Sequence, residues 1–67
     1  MRITVNGKQE DIKLARPTIA DLLTQYSLQE KTVIIEANGE IIPKDSLSST
    51  HLKEGDRLEI VQFVGGG

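Results

Sequence analysis

Two Asn-Gly dipeptides, at residues 6–7 and 38–39, constrain the fold of this chain more than any other feature. Asn-Gly favours the type I′ turn, whose twist matches that of two adjacent antiparallel strands. Residues 2–5 before the first dipeptide alternate in polarity, and residues 32–37 before the second are mostly β-branched and apolar. The sequence therefore predicts two β-hairpins. The second is expected to end at Pro43, because proline cannot donate to a strand ladder.

The first turn also predicts the register of its hairpin. Val5 pairs with Lys8, and Ile3 pairs with Glu10. Arg16-Pro17 is expected to end the second strand, because proline removes a backbone donor and favours extended geometry in the residue before it. This register places four apolar side chains on one face of the sheet: Ile3, Val5, Ile12 and Leu14.

One amphipathic helix is predicted after the proline. Thr18 is a good N-cap, and Asp21 lies three residues later, where its carboxylate completes a capping box and meets the positive end of the helix dipole. The apolar positions have i, i+3, i+4 and i+7 spacing and are Ile19, Leu22, Leu23 and Tyr26. In so short a chain this stripe indicates core packing, with the tyrosine at the edge of the core and its hydroxyl in water.

The second half of the chain predicts a loop followed by a long strand. Residues 44–50 are polar, which is typical of a loop, here with a short helical turn at residues 45–47. His51 has no second ligand at metal-binding spacing and is interpreted as a surface residue. Leu52 is expected as a further core anchor before the strand over residues 57–64.

The alternation of that last strand fails after Ile60, because Val61 and Phe63 are apolar on what had been the polar face. Two interpretations remain open. Phe63 closes the end of the core on a bulged or covered strand, or Val61, Phe63 and the adjoining Val64 form an exposed surface that docks partner proteins.

Composition excludes several classes of function. A chain of 67 residues makes one small core with little room for a buried active site, and it contains no cysteine for a disulfide, a thiolate nucleophile or a thiolate metal site. No metal site is predicted. The net charge of -2 and the scattered basic residues argue against a nucleic-acid surface. No apolar segment is long enough to span a membrane, so the cytoplasm is the expected compartment.

The chain ends in Gly65, Gly66 and Gly67, directly after the last strand. Three extended residues reach roughly 10 Å, and without side chains they fit a narrow channel. We expect residues 1–64 to form the domain and residues 65–67 a flexible tail. The terminal carboxylate of Gly67 is the candidate reactive group, with Gly65 and Gly66 presenting it.

The order of predicted elements resembles the α+β ubiquitin-like β-grasp fold, a mixed sheet of four to five strands on one helix. More narrowly, the chain resembles the ThiS family of sulfur carriers in thiamine biosynthesis. The motifs that carry this resemblance are Val-Asn-Gly at 5–7, Thr-Ile-Ala-Asp-Leu-Leu at 18–23, Asn-Gly-Glu-Ile-Ile-Pro at 38–43, Glu-Gly-Asp at 54–56 and Phe-Val-Gly-Gly-Gly at 63–67.

The resemblance implies a carrier that is a substrate of other enzymes, and not an enzyme. A ThiF-like adenylyltransferase would adenylate Gly67, consuming ATP that this chain does not itself bind, and no cofactor is expected on the chain. Sulfur drawn from cysteine, for example through a cysteine desulfurase, would give a thiocarboxylate that thiazole synthase uses. Gly66 would be the unhindered neighbour of the reacting group, and the role of Gly65 stays open.

Three other interpretations stay open from the sequence. The small subunit of molybdopterin synthase is similar in fold and glycine ending and uses the same chemistry. A ubiquitin-like modifier would be joined to lysines. A β-grasp interaction domain with an inert tail would keep its function without Gly66 and Gly67. A free-standing enzyme is disfavoured because the sequence has no catalytic constellation.

Overall fold

A computed structural model describes residues 1–63 of the chain. It contains one α-helix and five strands, joined by two short 3₁₀ turns at Glu30–Thr32 and Lys44–Ser46. The elements are β1 (Arg2–Val5), β2 (Lys8–Asp11), α1 (Ile19–Gln25), β3 (Val33–Ala37), β4 (Glu40–Ile42) and β5 (Arg57–Gln62). No helix within this described part of the chain is long and apolar enough to cross a lipid bilayer.

The five strands form one mixed sheet in the order β2-β1-β5-β3-β4. The last strand in sequence is therefore the central strand of the sheet. It runs parallel to β1 and antiparallel to β3, while both Asn-Gly hairpins lie at the flanks. The predicted α+β architecture is confirmed, with five strands. The proposed boundary between a domain at 1–64 and a tail at 65–67 stays a prediction, because residues 64–67 lie outside the described residues.

The first hairpin has the predicted register. Val5 lies opposite Lys8 and Ile3 opposite Glu10, and the turn residue Asn6 has the positive φ of 50° that a type I′ turn requires. Ile12 is buried as predicted and still exchanges hydrogen bonds with Met1 at the start of the chain.

The prediction that Leu14 joins this buried face is wrong, because its side chain is 44% exposed. Strand β2 ends at Asp11, which lies opposite Arg2 at the start of β1, well before Pro17. The expected extended geometry of Arg16 is also wrong: its φ is 51°. This left-handed residue turns the chain from the sheet into the helix, and its carbonyl accepts a hydrogen bond from Nδ1 of His51 at 3.0 Å.

The capping box predicted for α1 is present. The hydroxyl of Thr18 accepts from the backbone N–H of Asp21 at 3.1 Å, and the Asp21 carboxylate accepts from the N–H of Thr18 at 2.9 Å. The helix ends in a Schellman motif around Ser27, whose φ is 61°. Leu28 closes this motif by donating its N–H to the carbonyl of Leu23 at 2.8 Å.

The helix packs on one face of the sheet and forms a single apolar core with it. Tyr26 is half-buried at its edge, as predicted, and desolvation, together with the Glu10 carboxylate, raises the pKa of its hydroxyl. Leu52 is buried as expected. The buried residues are Ile3, Val5, Ile12, Ile19, Leu22, Leu23, Val33, Ile35, Leu47, Leu52 and Leu58.

The predictions for the second half hold with small shifts. Strand β3 begins at Val33, because Thr32 belongs to the preceding 3₁₀ turn. The turn predicted at 45–47 lies one residue earlier, at Lys44–Ser46. Strand β5 ends at Gln62, two residues before the predicted end, and Val64 lies outside the described residues.

Candidate functional site: the C-terminal end of the central strand

The central strand β5 leads to the glycine-rich terminus, and two asparagine side chains hold it in place. The amide of Asn6 accepts from the N–H of Ile60 at 2.7 Å and donates to the carbonyl of Ile60 at 3.2 Å. Asn38 acts at the other end of the strand. Its side-chain Oδ1 accepts from the N–H of Arg57 at 3.0 Å, and its backbone N–H donates to the Arg57 carbonyl at 2.8 Å. Strand β5 is therefore anchored from both hairpin turns.

Sequence reasoning missed this role of the two asparagines. They were predicted only as turn residues, since the Asn-Gly pattern explains a positive φ and says nothing about where the side chain points. One signal for this role was present: both turns use asparagine rather than aspartate. An amide side chain can donate and accept hydrogen bonds at the same time, as bonding to a strand backbone requires.

The register between β3 and β5 brings apolar side chains together on the sheet face opposite the helix. Val61 lies directly opposite Ile34, and its side chain is 56% exposed. Phe63 is 52% exposed, and its N–H donates to the carbonyl of Thr32 at 2.8 Å. The interpretation in which Phe63 closes the core is therefore wrong. We call the exposed set the outer apolar patch: Ile34, Ile41, Val61 and Phe63.

In the outer apolar patch, Ile34 and Val61 lie opposite each other toward the end of the sheet where β5 leaves. On the same face, Ile41 lies opposite Glu36, which in turn lies opposite Glu59. Beside the patch, an apolar cleft of about 180 Å³ opens between β3, β4 and the loop after them, and Ile34 and Ile41 line it together with Pro43 and Leu47. The surface around the base of the terminus is thus apolar, has a concave part, and is bordered by acidic side chains.

Lys44 connects this patch to the backbone of the domain. Its Nζ donates to the carbonyls of Val33 at 2.9 Å and Glu30 at 3.1 Å, and it lies 5.8 Å from the centroid of the Phe63 ring. A cation at this distance is attracted by the face of an aromatic ring. Lys44 therefore helps to orient Phe63, a role for which the sequence offered no signal, because the two residues are far apart in the chain.

The other predicted site residues fall into two groups. His51 is exposed and its ring nitrogen is used in the hydrogen bond to Arg16, in agreement with its interpretation as a surface residue. Among residues 1–63, no three His, Cys, Asp or Glu side chains are grouped so that they could hold a metal ion. Val64, Gly65, Gly66 and Gly67 lie outside the described residues, so their predicted roles stay predictions.

Residues 1–63 form a mixed five-stranded sheet on one helix, and β5 lies at the centre of the sheet and leads to the glycine terminus. This arrangement defines a small ubiquitin-like β-grasp protein. A crystal structure of the thiamine biosynthesis protein ThiS from Geobacter metallireducens has this fold. It matches with a TM-score of 0.83 and 35% identity, and the match covers all of both chains.

The chain belongs to the ThiS family, whose family model matches residues 2–67. It is 46% identical over 65 residues to the sulfur carrier protein ThiS of Bacillus subtilis, a match that covers 97% of this chain and 98% of that protein. It is also 37% identical over 67 residues to a thiazole synthase of Paramagnetospirillum magneticum, of which the match covers only 20%. The family resemblance predicted from the sequence motifs is thus confirmed.

Proposed function

We propose that this chain carries sulfur for thiazole formation in thiamine biosynthesis, as a thiocarboxylate on Gly67. The observation that carries the proposal is the match to a sulfur carrier over nearly the full length of both chains, within a family model that extends through residue 67. Of the interpretations open from the sequence, this match favours the thiazole carrier over the molybdopterin synthase subunit and over an interaction domain with an inert terminus.

The chemistry follows from the weak reactivity of a carboxylate. The Gly67 carboxylate attacks the α-phosphorus of ATP and releases pyrophosphate, which gives an acyl adenylate with AMP as a good leaving group. A sulfur nucleophile at the oxidation level of sulfide then attacks the acyl carbon and displaces AMP. The product is a thiocarboxylate, whose sulfur is the nucleophile that thiazole synthase uses.

In this scheme the chain is a carrier and its partners supply the catalysis. A ThiF-like adenylyltransferase binds the ATP. A sulfur donor such as a cysteine desulfurase takes the sulfur of cysteine as a persulfide, a thiol reductant releases that sulfur at the level of sulfide, and thiazole synthase receives it from the thiocarboxylate. Similarity to one fifth of a thiazole synthase supports a partnership with that enzyme, because that protein contains a segment like this entire chain. The proposed setting for these reactions is the cytoplasm.

The fold supports the proposal through the position of β5. Strand β5 is bonded to β1 and Asn6 as far as Ile60, and to β3 and Thr32 as far as Phe63, so the base of the terminus is held by the sheet. Val61 and Phe63 lie exposed beside that base, where an enzyme that receives the terminus must make contact. We propose that the outer apolar patch docks the partner enzymes, with Val64 extending it.

The test is the intact mass of the protein after incubation with a ThiF-like enzyme, ATP, cysteine, a desulfurase and a thiol reductant. A sulfur-for-oxygen exchange that fragmentation places on Gly67 is the expected result. The matched variant Gly66→Val should block adenylation without lowering the melting temperature, because it adds bulk beside the reacting carbon, four residues after Gln62, where β5 ends. An unmodified terminus, with enzymes proven active on the Bacillus carrier, would refute the proposal.

A further inference from the structure

The backbone of β5 alternates in the direction of its hydrogen bonds. Phe63 and Arg57 direct their N–H groups toward β3, where the Thr32 carbonyl and the Asn38 side chain accept them. Leu58 and Ile60 are bonded on the opposite side, to the backbone and the side-chain amide of Asn6. The N–H and carbonyl of Gln62 therefore point to the β1 side of the sheet, because successive residues of a strand alternate.

On that side the ladder stops before it reaches Gln62. Strand β1 pairs only Thr4 and Val5 with β5, and the side chain of Asn6 then takes the place of one further backbone pair. The chain turns away into β2 at the Asn-Gly dipeptide. Among residues 1–63, none is placed to continue the ladder beside Gln62, and this residue is exposed.

We infer that Gln62 is the start of an open strand edge, and that an extended strand of thiazole synthase pairs with it when the terminus enters that enzyme. The inference rests on the proposed function, in which Gly67 must reach the active site of thiazole synthase. Gly67 lies five residues beyond Gln62, and five residues span at most about 18 Å even when fully extended. The surface of the enzyme must therefore lie close to Gln62 in the complex.

The hydrogen bonds that Gln62 needs determine which groups the surface of thiazole synthase must present there. A backbone N–H and carbonyl that lose their water in an interface need new partners, and an added strand supplies both with the correct spacing. The apolar side chains of Val61 and Phe63 flank Gln62 on the outer face. The pairing strand is therefore expected to present apolar residues on that same face, in continuity with the outer apolar patch.

Hydrogen exchange resolved to single residues tests the inference on the unmodified protein, alone and bound to thiazole synthase. The Gln62 amide should exchange rapidly in the free protein and at least about tenfold more slowly in the complex, because exchange of a paired amide requires opening. The Val61 amide, which belongs to the ladder with β3, serves as the internal control and should be slow in both states.

A complex in which the Gln62 amide exchanges as fast as in the free protein would overturn the inference. If the thiocarboxylate still forms on the same sample, the carrier function stands and the strand pairing alone is lost. Failure to bind a thiazole synthase that does bind the Bacillus carrier would overturn both.

A pair of variants gives a second measurement. Gln62→Pro removes the exposed N–H, whereas Gln62→Ala keeps it, and neither removes a backbone group that bonds β5 to β3, because those of Gln62 point to the other side. The proline variant should bind thiazole synthase about tenfold more weakly, as expected for one lost hydrogen bond, and the alanine variant should bind within about twofold of the unmodified protein. Equal binding by both variants would contradict the pairing. If the proline variant melts early, the exchange experiment decides.

Discussion

Replacement of Asn6 by alanine tests how the central strand is held. In the structure this one side chain makes two hydrogen bonds to Ile60, at 2.7 Å and 3.2 Å, across a sequence separation of 54 residues. The same residue adopts a φ of 50° in the hairpin turn. Alanine removes both hydrogen bonds and is also a poor residue for left-handed geometry, so two separate effects destabilise the variant.

The expected size of the effect can be worked out from these contacts. Two hydrogen bonds at an exposed site contribute about 1–2 kcal/mol together, and the left-handed backbone adds about 0.5–1 kcal/mol against alanine. A total loss near 2 kcal/mol is a large part of the stability of so small a domain and corresponds to about 10 °C in melting temperature.

Urea denaturation of the unmodified protein and two variants measures this loss. Asn6→Gly loses the same hydrogen bonds without the left-handed penalty, so it should be about 1 kcal/mol more stable than Asn6→Ala. The slope of the unfolding free energy against urea should stay constant, because the surface exposed on unfolding is unchanged. An Asn6→Ala variant within about 0.5 kcal/mol of the unmodified protein would show that the amide does not anchor Ile60.

Three further predictions concern docking, the helix end and pH. Phe63→Glu should weaken binding to partner enzymes at least about tenfold with little change in melting temperature. The control Gln9→Glu adds an equal charge elsewhere on the outer face and should leave binding unchanged, so equal losses of binding would contradict docking by the patch. Ser27→Gly should raise the unfolding free energy by about 0.5–1 kcal/mol, because glycine accepts a φ of 61°. The control Ser48→Gly should lower the unfolding free energy, and a destabilised Ser27→Gly protein would contradict the Schellman assignment. Folding raises the pKa of Tyr26, so the protonated hydroxyl contributes its full stability below about pH 10, the ordinary tyrosine pKa. This contribution is lost as pH rises through the folded pKa. In denaturation experiments, the Tyr26→Phe protein should lack this decrease of the unfolding free energy at alkaline pH.

Local signals were sufficient for most of the fold. The Asn-Gly dipeptide at 6–7 favours left-handed backbone through its own two residues, so the register of the first hairpin followed correctly from local sequence. The same holds for Thr18 and Asp21, whose capping box spans a single helical turn. The order of these local elements, with the motifs between them, was specific enough to indicate the ThiS family, which the comparisons confirm.

The failures and omissions share one cause, which is that they depend on residues far away in the chain. Leu14 continues an apolar alternation, but the pairing of β2 with β1 ends at Asp11, so Leu14 lies beyond the strand and is exposed. Val61 and Phe63 could have been core or surface, and the position of α1 on the opposite face decided this.

Turns and helix caps are set by backbone dihedral preferences within a few residues, and these can be read along the chain. The position of β5 between β1 and β3, the amide of Asn6 on Ile60 and the ammonium of Lys44 near Phe63 join segments that are distant in sequence. Such contacts form because burial of the whole apolar core selects one arrangement of the strands. The surface around the base of the terminus is a product of that arrangement, and it became visible only with the packed sheet.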